Sequence, residues 1–182
     1  LLERKGAVAG LITTKGFRDV LEIGRFRSPR LYDISYRRPD PLVERRLRFE
    51  VRERVMSDGT VRTPLDYSDM ERIAAKIRED NIDAVAVCFL NSYANPENEA
   101  AAVEFLSKTL PGLSVSASTQ LLPQINEYER TSTTVVNAYI RPVVERYVGS
   151  LGERLRRLHI GAPLMIMQSS GGLLPGYLVA RN

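Results

Sequence analysis

Between Pro123 and Arg146 the chain reads PQINEYERTSTTVVNAYIRPVVER, the densest run of chemically capable side chains in the sequence. At 100° per residue, Glu127, Arg130, Thr134, Asn137 and Arg141 share an arc of roughly 80° on a helix. Tyr128, Val135, Val136, Tyr139, Ile140 and Val143 fall on the other side. A stripe holding a carboxylate, two guanidinium groups, a hydroxyl and an amide can pair with a phosphate or a carboxylate and hydrogen-bond a neutral polar group. Its plain alternative is the solvated face of an amphipathic helix, with Glu127 and Arg130 as an i,i+3 ion pair. A second candidate lies downstream, where LMIMQ runs into Ser169-Ser170-Gly171-Gly172. Small residues after a strand free backbone N–H groups to converge on an anion, so Gln168 to Gly172 reads as a weak phosphate loop or an ordinary turn. It lacks the spacing of the standard nucleotide loops.

Other reactive residues are few. The single cysteine, Cys88, excludes an internal disulfide and sits in AVAVCFL, where a buried structural thiol is expected. The single histidine, His159, follows the basic helix end ERLRRLHI, which recommends neither a catalytic triad nor a His/Cys metal site.

The elements that must hold these groups follow from pattern. Residues 8–13 read as a buried strand, Thr14 to Gly16 as a turn, and 17–23 as a short helix stopped by Gly24. The Arg/Pro/Tyr-rich segment 25–41 lacks periodicity and reads as an irregular loop, able to meet an anion through Arg25, Arg27, Arg30, Arg37 or Arg38. Residues 45–56 alternate, with Leu47, Phe49, Val51 and Val55 on one side and Arg46, Arg48, Glu50, Arg52 and Arg54 on the other. That spacing predicts a long strand with one wet face, turned by Asp58-Gly59 into a hairpin over 45–64. Ser68 and Glu71 form a capping-box pattern opening a helix with Met70, Ile73, Ala74 and Ile77 inward and Asn81 at its end. DAVAVCFL is apolar enough for a strand covered on both faces. Asn95-Pro96 opens the next helix, with Val103, Leu106 and Leu110 inward; Pro111-Gly112 stops it before the strand 113–118. Helix–strand–helix–strand at this spacing predicts parallel strands with right-handed crossovers. The opening stretch then forms a helix kinked at Pro142 that continues to about Leu158, and 164–168 is a further buried strand.

Composition sets outer bounds. The 182 residues suffice for one domain with a real core or parts of two. Hydrophobic residues make up 43% and charged residues 26%, a globular balance with no apolar run long enough to span a membrane. The 26 basic and 22 acidic residues interleave rather than segregate, which argues against a nucleic-acid-binding face. The lone cysteine fits a reducing, cytoplasmic compartment.

Four long blocks, in order, carry a resemblance: LLERKGAVAGLITTKGFRDVLEIGR; RPDPLV with the Arg-rich strand; INEYERTSTTVVNAYIRP; and LMIMQSSGGL. Together they resemble the bacterial hydantoinase A/oxoprolinase family, which includes ATP-dependent N-methylhydantoinases, 5-oxoprolinases and the β-subunits of acetone and acetophenone carboxylases. The resemblance implies an α/β, ribonuclease-H-like fold of the actin, sugar-kinase and heat-shock superfamily: a mixed sheet with flanking helices and a β-hairpin. It divides the chain into residues 1–122, the end of the family's N-terminal region, and 123–182, the start of its hydantoinase A core. The family's Asp-x-Gly-Gly-Thr and His-Gly-Thr-Thr segments belong before Leu1 and its Ser-Gly-Pro-x-Gly-Gly loop after Asn182. The resemblance therefore implies a central fragment, inactive alone and binding no cofactor by itself.

For the parent protein the resemblance implies ATP and Mg²⁺, and ring opening of a hydantoin or lactam. Phosphorylation of the amide oxygen would make it a leaving group before water opens the ring. Candidate catalytic residues are Glu127, Arg130, Thr134 and Asn137, with Arg141 as a further phosphate or carboxylate partner. Candidate cofactor-binding residues are Gln168, Ser169, Ser170, Gly171 and Gly172, and no metal ligand is assigned. The expected partners are a small cyclic amide and a hydantoinase B-type subunit or domain, with no nucleic acid or membrane. Asn137 to Pro142 looks more like the hydantoinase branch than the 5-oxoprolinases, which tend to carry Asp-Ala-Tyr-Leu-Thr-Pro there. Two alternatives stand beside this reading: a carboxylase β-subunit, and a non-catalytic assembly module using the Arg-rich loop 25–46 and the basic helix end 154–157 as interface.

Overall fold

In a computed structural model the described residues are 3–25, 35–36, 39–168 and 171–179. Most of loop 25–41, and with it Arg27, Arg30, Arg37 and Arg38, lies outside them, as do Ser169 and Ser170.

Four strands form one sheet in the order β2–β1–β5–β6, and every pairing is parallel. They are β1 (Ala9–Thr14), β2 (Arg48–Val51), β5 (Ala84–Cys88) and β6 (Ser114–Ala117). The mixed sheet implied by the resemblance is thus not what the described residues build. β1 and β5 are central and buried along their whole length, as their unbroken apolar runs require. Parallel pairing puts Leu11, Ala86 and their neighbours two residues apart on one face, and Ile12, Val85 and Val87 on the other.

Helices cover both faces. On one lie α2 (Tyr67–Glu79) and α3 (Glu97–Thr109), packed against β2, β5 and β6 and against each other. The long α5 (Glu127–Arg157) crosses β1, β5 and β6 on the opposite face, with the short α1 (Val20–Ile23) and α4 (Ser118–Leu121) packed against it. Met70, Ile73, Ala74 and Ile77 are buried as their spacing predicts, but the N-cap of α2 is Asp66, whose carboxylate accepts from the Ser68 and Asp69 amides. Ser68 is the second residue of the helix. The N-cap of α3 is Pro96, and Asn95 just before it accepts from the Glu97 amide at 3.0 Å. The helix α5 runs through Pro142 unbroken.

Two expectations fail for physical reasons. The alternating run 45–56 is not one strand: Arg45–Leu47 is a 3₁₀ turn, Arg48–Val51 joins β1 in parallel, and only Arg54–Val55 (β3) pairs antiparallel with Val61–Thr63 (β4). Nor is its Arg face wet throughout. Arg48 is 2% exposed, donating to the Val43 carbonyl at 3.1 Å and to Glu22 at 2.9 Å. The Asp58-Gly59 turn forms as read: Met56 donates to Thr60, and Gly59 takes φ +85°, the left-handed position a three-residue hairpin loop needs.

The second failure is β7 (Met165–Met167), which is not buried. It pairs antiparallel with β8 (Leu173–Pro175), and Met165 and Met167 are exposed. A last short helix, α6 (Gly176–Val179), packs back on α5.

Candidate functional site

The strand order reverses direction at β1. The chain leaves β1 for β2 on one side, then returns past it to β5 on the other, so the connections that follow β1 and β5 run to opposite faces at the sheet's C-terminal edge. In open parallel sheets this switch point is the usual place for a ligand crevice. Here the chain's own polar side chains fill it.

From the α3 side come Glu53, Asn98 and Glu99. Glu53, 4% exposed, accepts from the Thr14 hydroxyl at the end of β1 and from Asn98 Nδ2 at 2.9 Å. Thr14 Oγ1 in turn accepts from the Leu90 amide at 2.8 Å, just past β5. Burial pushes the Glu53 carboxyl above its ordinary pKa, against the two hydrogen bonds that favour its charged form. Glu99 is fully buried and accepts from the Phe89 amide at 3.1 Å, the Thr119 amide at 2.7 Å and the Ser118 hydroxyl at 2.8 Å.

From the α5 side comes Arg130, the largest fully buried side chain among the described residues. Its guanidinium donates to Ser92 Oγ, to Ser118 Oγ at 3.0 Å and to the Phe89 carbonyl at 2.7 Å. Nε is sealed without a partner. Thr131, the next residue, shares a 3.1 Å contact with Cys88 Sγ, whose pKa burial raises, so the lone thiol is an unreactive core group.

The polar face of the central helix is therefore largely turned inward. Arg130 and Thr134 are sealed beneath α5, and Thr134 Oγ1 bonds back to the Arg130 carbonyl at 2.7 Å. Asn137 accepts from Ser116 at 2.8 Å, and Arg141 splits its donors between Glu145 and the Val115 carbonyl. Four of the five face the sheet: β6 and the segments after β5 and β6 offer acceptors to Arg130 and Arg141 and a donor to Asn137, partners that the sequence pattern does not announce.

Glu127 differs. With Phe17, Val20, Gly24, Arg25 and Tyr128 it lines a depression of about 300 Å³ between α1 and the first turn of α5. Arg25 beside it forms a two-pronged ion pair with Glu129, 2.6 and 2.7 Å.

Gln168, Gly171 and Gly172 lie at the turn end of the β7–β8 hairpin. Gln168 donates to the Gly172 carbonyl at 2.8 Å and Gly171 to the Gln168 carbonyl at 2.9 Å. Those two amides are spent on the turn, and Ser169 and Ser170 lie outside the described residues. Among the described residues no group of three or more His, Cys, Asp or Glu could hold a metal ion. These features do not fit an ATP–Mg²⁺ site within the described residues. Sequence reasoning missed Glu53, Asn98, Glu99, Ser92 and Ser118; the available signal was the pair of carboxylates, Glu97 and Glu99, in the first turn of α3.

Fold and site together define a doubly wound parallel α/β unit with a polar, self-filled switch point. The chain belongs to the hydantoinase/oxoprolinase family: its N-terminal-region model matches residues 1–110, and the hydantoinase/oxoprolinase model matches 130–182. An uncharacterized protein of Methanocaldococcus jannaschii is 43% identical over 90% of this chain and 24% of its own length. Caprolactamase subunit alpha of Pseudomonas jessenii is 38% identical over 98% of this chain and 26% of its own. The crystal structure of the ATP-dependent caprolactamase from that organism superposes over 96% of this chain and 26% of that one, with a TM-score of 0.90. The chain thus spans about a quarter of the length of these relatives. No helix among the described residues is long and apolar enough to cross a membrane.

Proposed function

We propose that this chain is part of an ATP-dependent enzyme that hydrolyses a cyclic amide. The observation that carries the reading is the caprolactamase match, 38% identity with a TM-score of 0.90 across nearly the whole chain. The acetone carboxylase structure, at 26% identity and TM-score 0.81, is more distant. A 30% identical 5-oxoprolinase of Arabidopsis thaliana supports the same bond type.

In this reading the chain contributes framework rather than phosphate chemistry. Glu127, on the open depression beside α1, is the candidate for contact with the cyclic amide. Arg130, Thr134 and Asn137 act as positioning residues, holding α5 against the edge from which Glu127 projects. ATP and Mg²⁺ would be held by parts of the longer protein outside residues 1–182. The ribonuclease-H-like architecture likewise belongs to that longer protein, as does a hydantoinase B-type partner.

A carboxylase subunit is the second reading, favoured by 31% identity over 94% of this chain to the acetophenone carboxylase gamma subunit of Aromatoleum aromaticum. Both are tested by assaying a protein of the relatives' full length, with its partner subunit, on caprolactam, hydantoin, 5-oxoproline, acetone and acetophenone. ATP-dependent loss of a cyclic amide supports hydrolysis. ATP- and bicarbonate-dependent loss of a ketone, with the amides untouched, overturns it for the carboxylase reading.

A further inference from the structure

The hairpin β3–β4 sits over the switch point, and its docking is almost wholly polar. Three asparagines from the segment after β5 each donate a side-chain amide to a hairpin carbonyl: Asn91 to Val55 at 3.0 Å, Asn95 to Gly59 at 3.0 Å and Asn98 to Thr63 at 3.1 Å. The donors and acceptors run in register along both segments. Of the hairpin's strand residues only Val55 is fully buried. Glu53, at the foot of β3, ties the hairpin to the ends of β1 and α3 through Thr14 and Asn98.

The neck below Glu53 is clamped differently. The Asp66 amide donates to the Arg52 carbonyl at 3.0 Å, and Asp69 accepts from both the amide and the guanidinium of Arg52 at 3.0 and 2.8 Å. A rigid neck thus carries a flap held by side-chain amides and one buried carboxylate, over the place where sheets of this order take ligands.

We infer that residues 53–63 form a lid over the β1/β5 switch point, latched by Glu53 and the three asparagines, that lifts on the Arg52–Asp69 neck while the sheet stays folded. Lifting would uncover Thr14 and the Leu90–Asn95 segment. This inference does not depend on which reaction the longer protein performs.

Segment-resolved hydrogen exchange on the intact chain tests it. Amides of 53–63 should exchange through an opening at least about tenfold more populated than the one exposing β1 and β5, with the Asp66 amide remaining protected. Glu53→Ala leaves the Thr14 hydroxyl without its acceptor and Asn98 with the Thr63 carbonyl alone. It should raise exchange in 53–63 and 90–95 by about tenfold or more and leave β5 and α5 within about twofold. A second variant covers the case in which Glu53→Ala does not fold. A Cβ built on Gly59 lies 3.8 Å from Asn95 Cβ, the usual disulfide separation, so Gly59→Cys with Asn95→Cys can lock the lid. The strain of a side chain at the Gly59 φ is common to the oxidised and reduced forms, so their comparison cancels it. Oxidation should suppress exchange in 53–63 and reduction restore it. The lid is overturned if 53–63 exchanges only with global unfolding, if Glu53→Ala accelerates all segments alike, or if the oxidised lock leaves exchange in 53–63 unchanged.

Discussion

Glu99 and Arg130 approach from opposite faces of the sheet and meet on one hydroxyl: Ser118 Oγ lies 2.8 Å from Glu99 Oε2 and 3.0 Å from Arg130 Nη1. The serine donates to the carboxylate and accepts from the guanidinium, so two buried charges are joined without direct contact. Removing one member of such an assembly leaves the rest desolvated and under-bonded. Arg130→Ala should cost about 3–5 kcal/mol, a large share of the about 5–15 kcal/mol of ordinary protein stability. Arg130→Lys should recover only part of it, since an ammonium cannot span Ser92, Ser118 and the Phe89 carbonyl as a planar fork does. Ser118→Ala should cost about 1–3 kcal/mol. Urea unfolding followed by circular dichroism gives all three, and an Arg130→Ala cost below that of Ser118→Ala would contradict the arrangement.

The neck of the hairpin makes an acid-side prediction. Hydrogen bonds from Arg52 hold the Asp69 carboxyl down to about 2, and its side chain is buried. A depressed folded-state pKa stabilises the protein above the unfolded value near 4, and that contribution is lost as pH falls toward 2. The linkage amounts to about 2 kcal/mol. Wild type should therefore lose stability between about pH 4 and pH 2, and Asp69→Asn should flatten that part of the profile while lowering the plateau at neutral pH. An unchanged slope in the variant would assign the acid sensitivity elsewhere.

Much of this architecture is legible in the sequence because it depends on near neighbours. The apolar run of β5, the inward spacing of α2, and the turns at Asn81, Asn95 and Gly59 are each set by a few consecutive residues, and each appears where expected. What the sequence does not disclose depends on distant partners. Nothing local distinguishes Arg48, buried against Glu22, from the exposed Arg46 two residues earlier. The 45–56 alternation fixes which side chains share a face but not that the run divides between two sheets. The local pattern places Arg130 on a solvent- or ligand-facing stripe because its acceptors lie 12, 38 and 41 residues away. Asp66 displaced Ser68 as the cap because two equally suitable capping residues stand two apart, and only the path of the chain chooses between them.

Glu53 predicts the opposite pH trend to Asp69. Its folded-state pKa is raised, chiefly by burial, so the folded state holds the proton more tightly than the unfolded one. Its contribution is fully present below the unfolded value in the mid-4s and is lost as pH rises through the folded pKa. The groups bearing on it are Arg54 and Glu99, with Thr14 and Asn98 as its hydrogen-bond partners. Glu53→Gln, neutral at every pH, should remove the decline above the mid-4s, measured as urea midpoint against pH. A decline identical to wild type would show that Glu53 does not titrate in that range.

Pro142 offers a test in which stability should rise. It lies within α5, fifteen residues from either end of the Glu127–Arg157 helix, and has no N–H to give the Ala138 carbonyl. Arg141 and Glu145 pair across it at 2.8 Å, and Arg146 Nε reaches the Pro142 carbonyl at 3.2 Å, so the helix is braced on both sides of the missing bond. Pro142→Ala restores the donor and relieves the ring's clash with the preceding turn, while the partly exposed site loses little packing. The gain should be about 1–3 kcal/mol, below the full interior-proline penalty because the helix has already adjusted to the ring. The measurement is the urea midpoint with an unchanged slope. A lowered midpoint would mean that the ring's packing against its surroundings outweighs the hydrogen bond it forgoes.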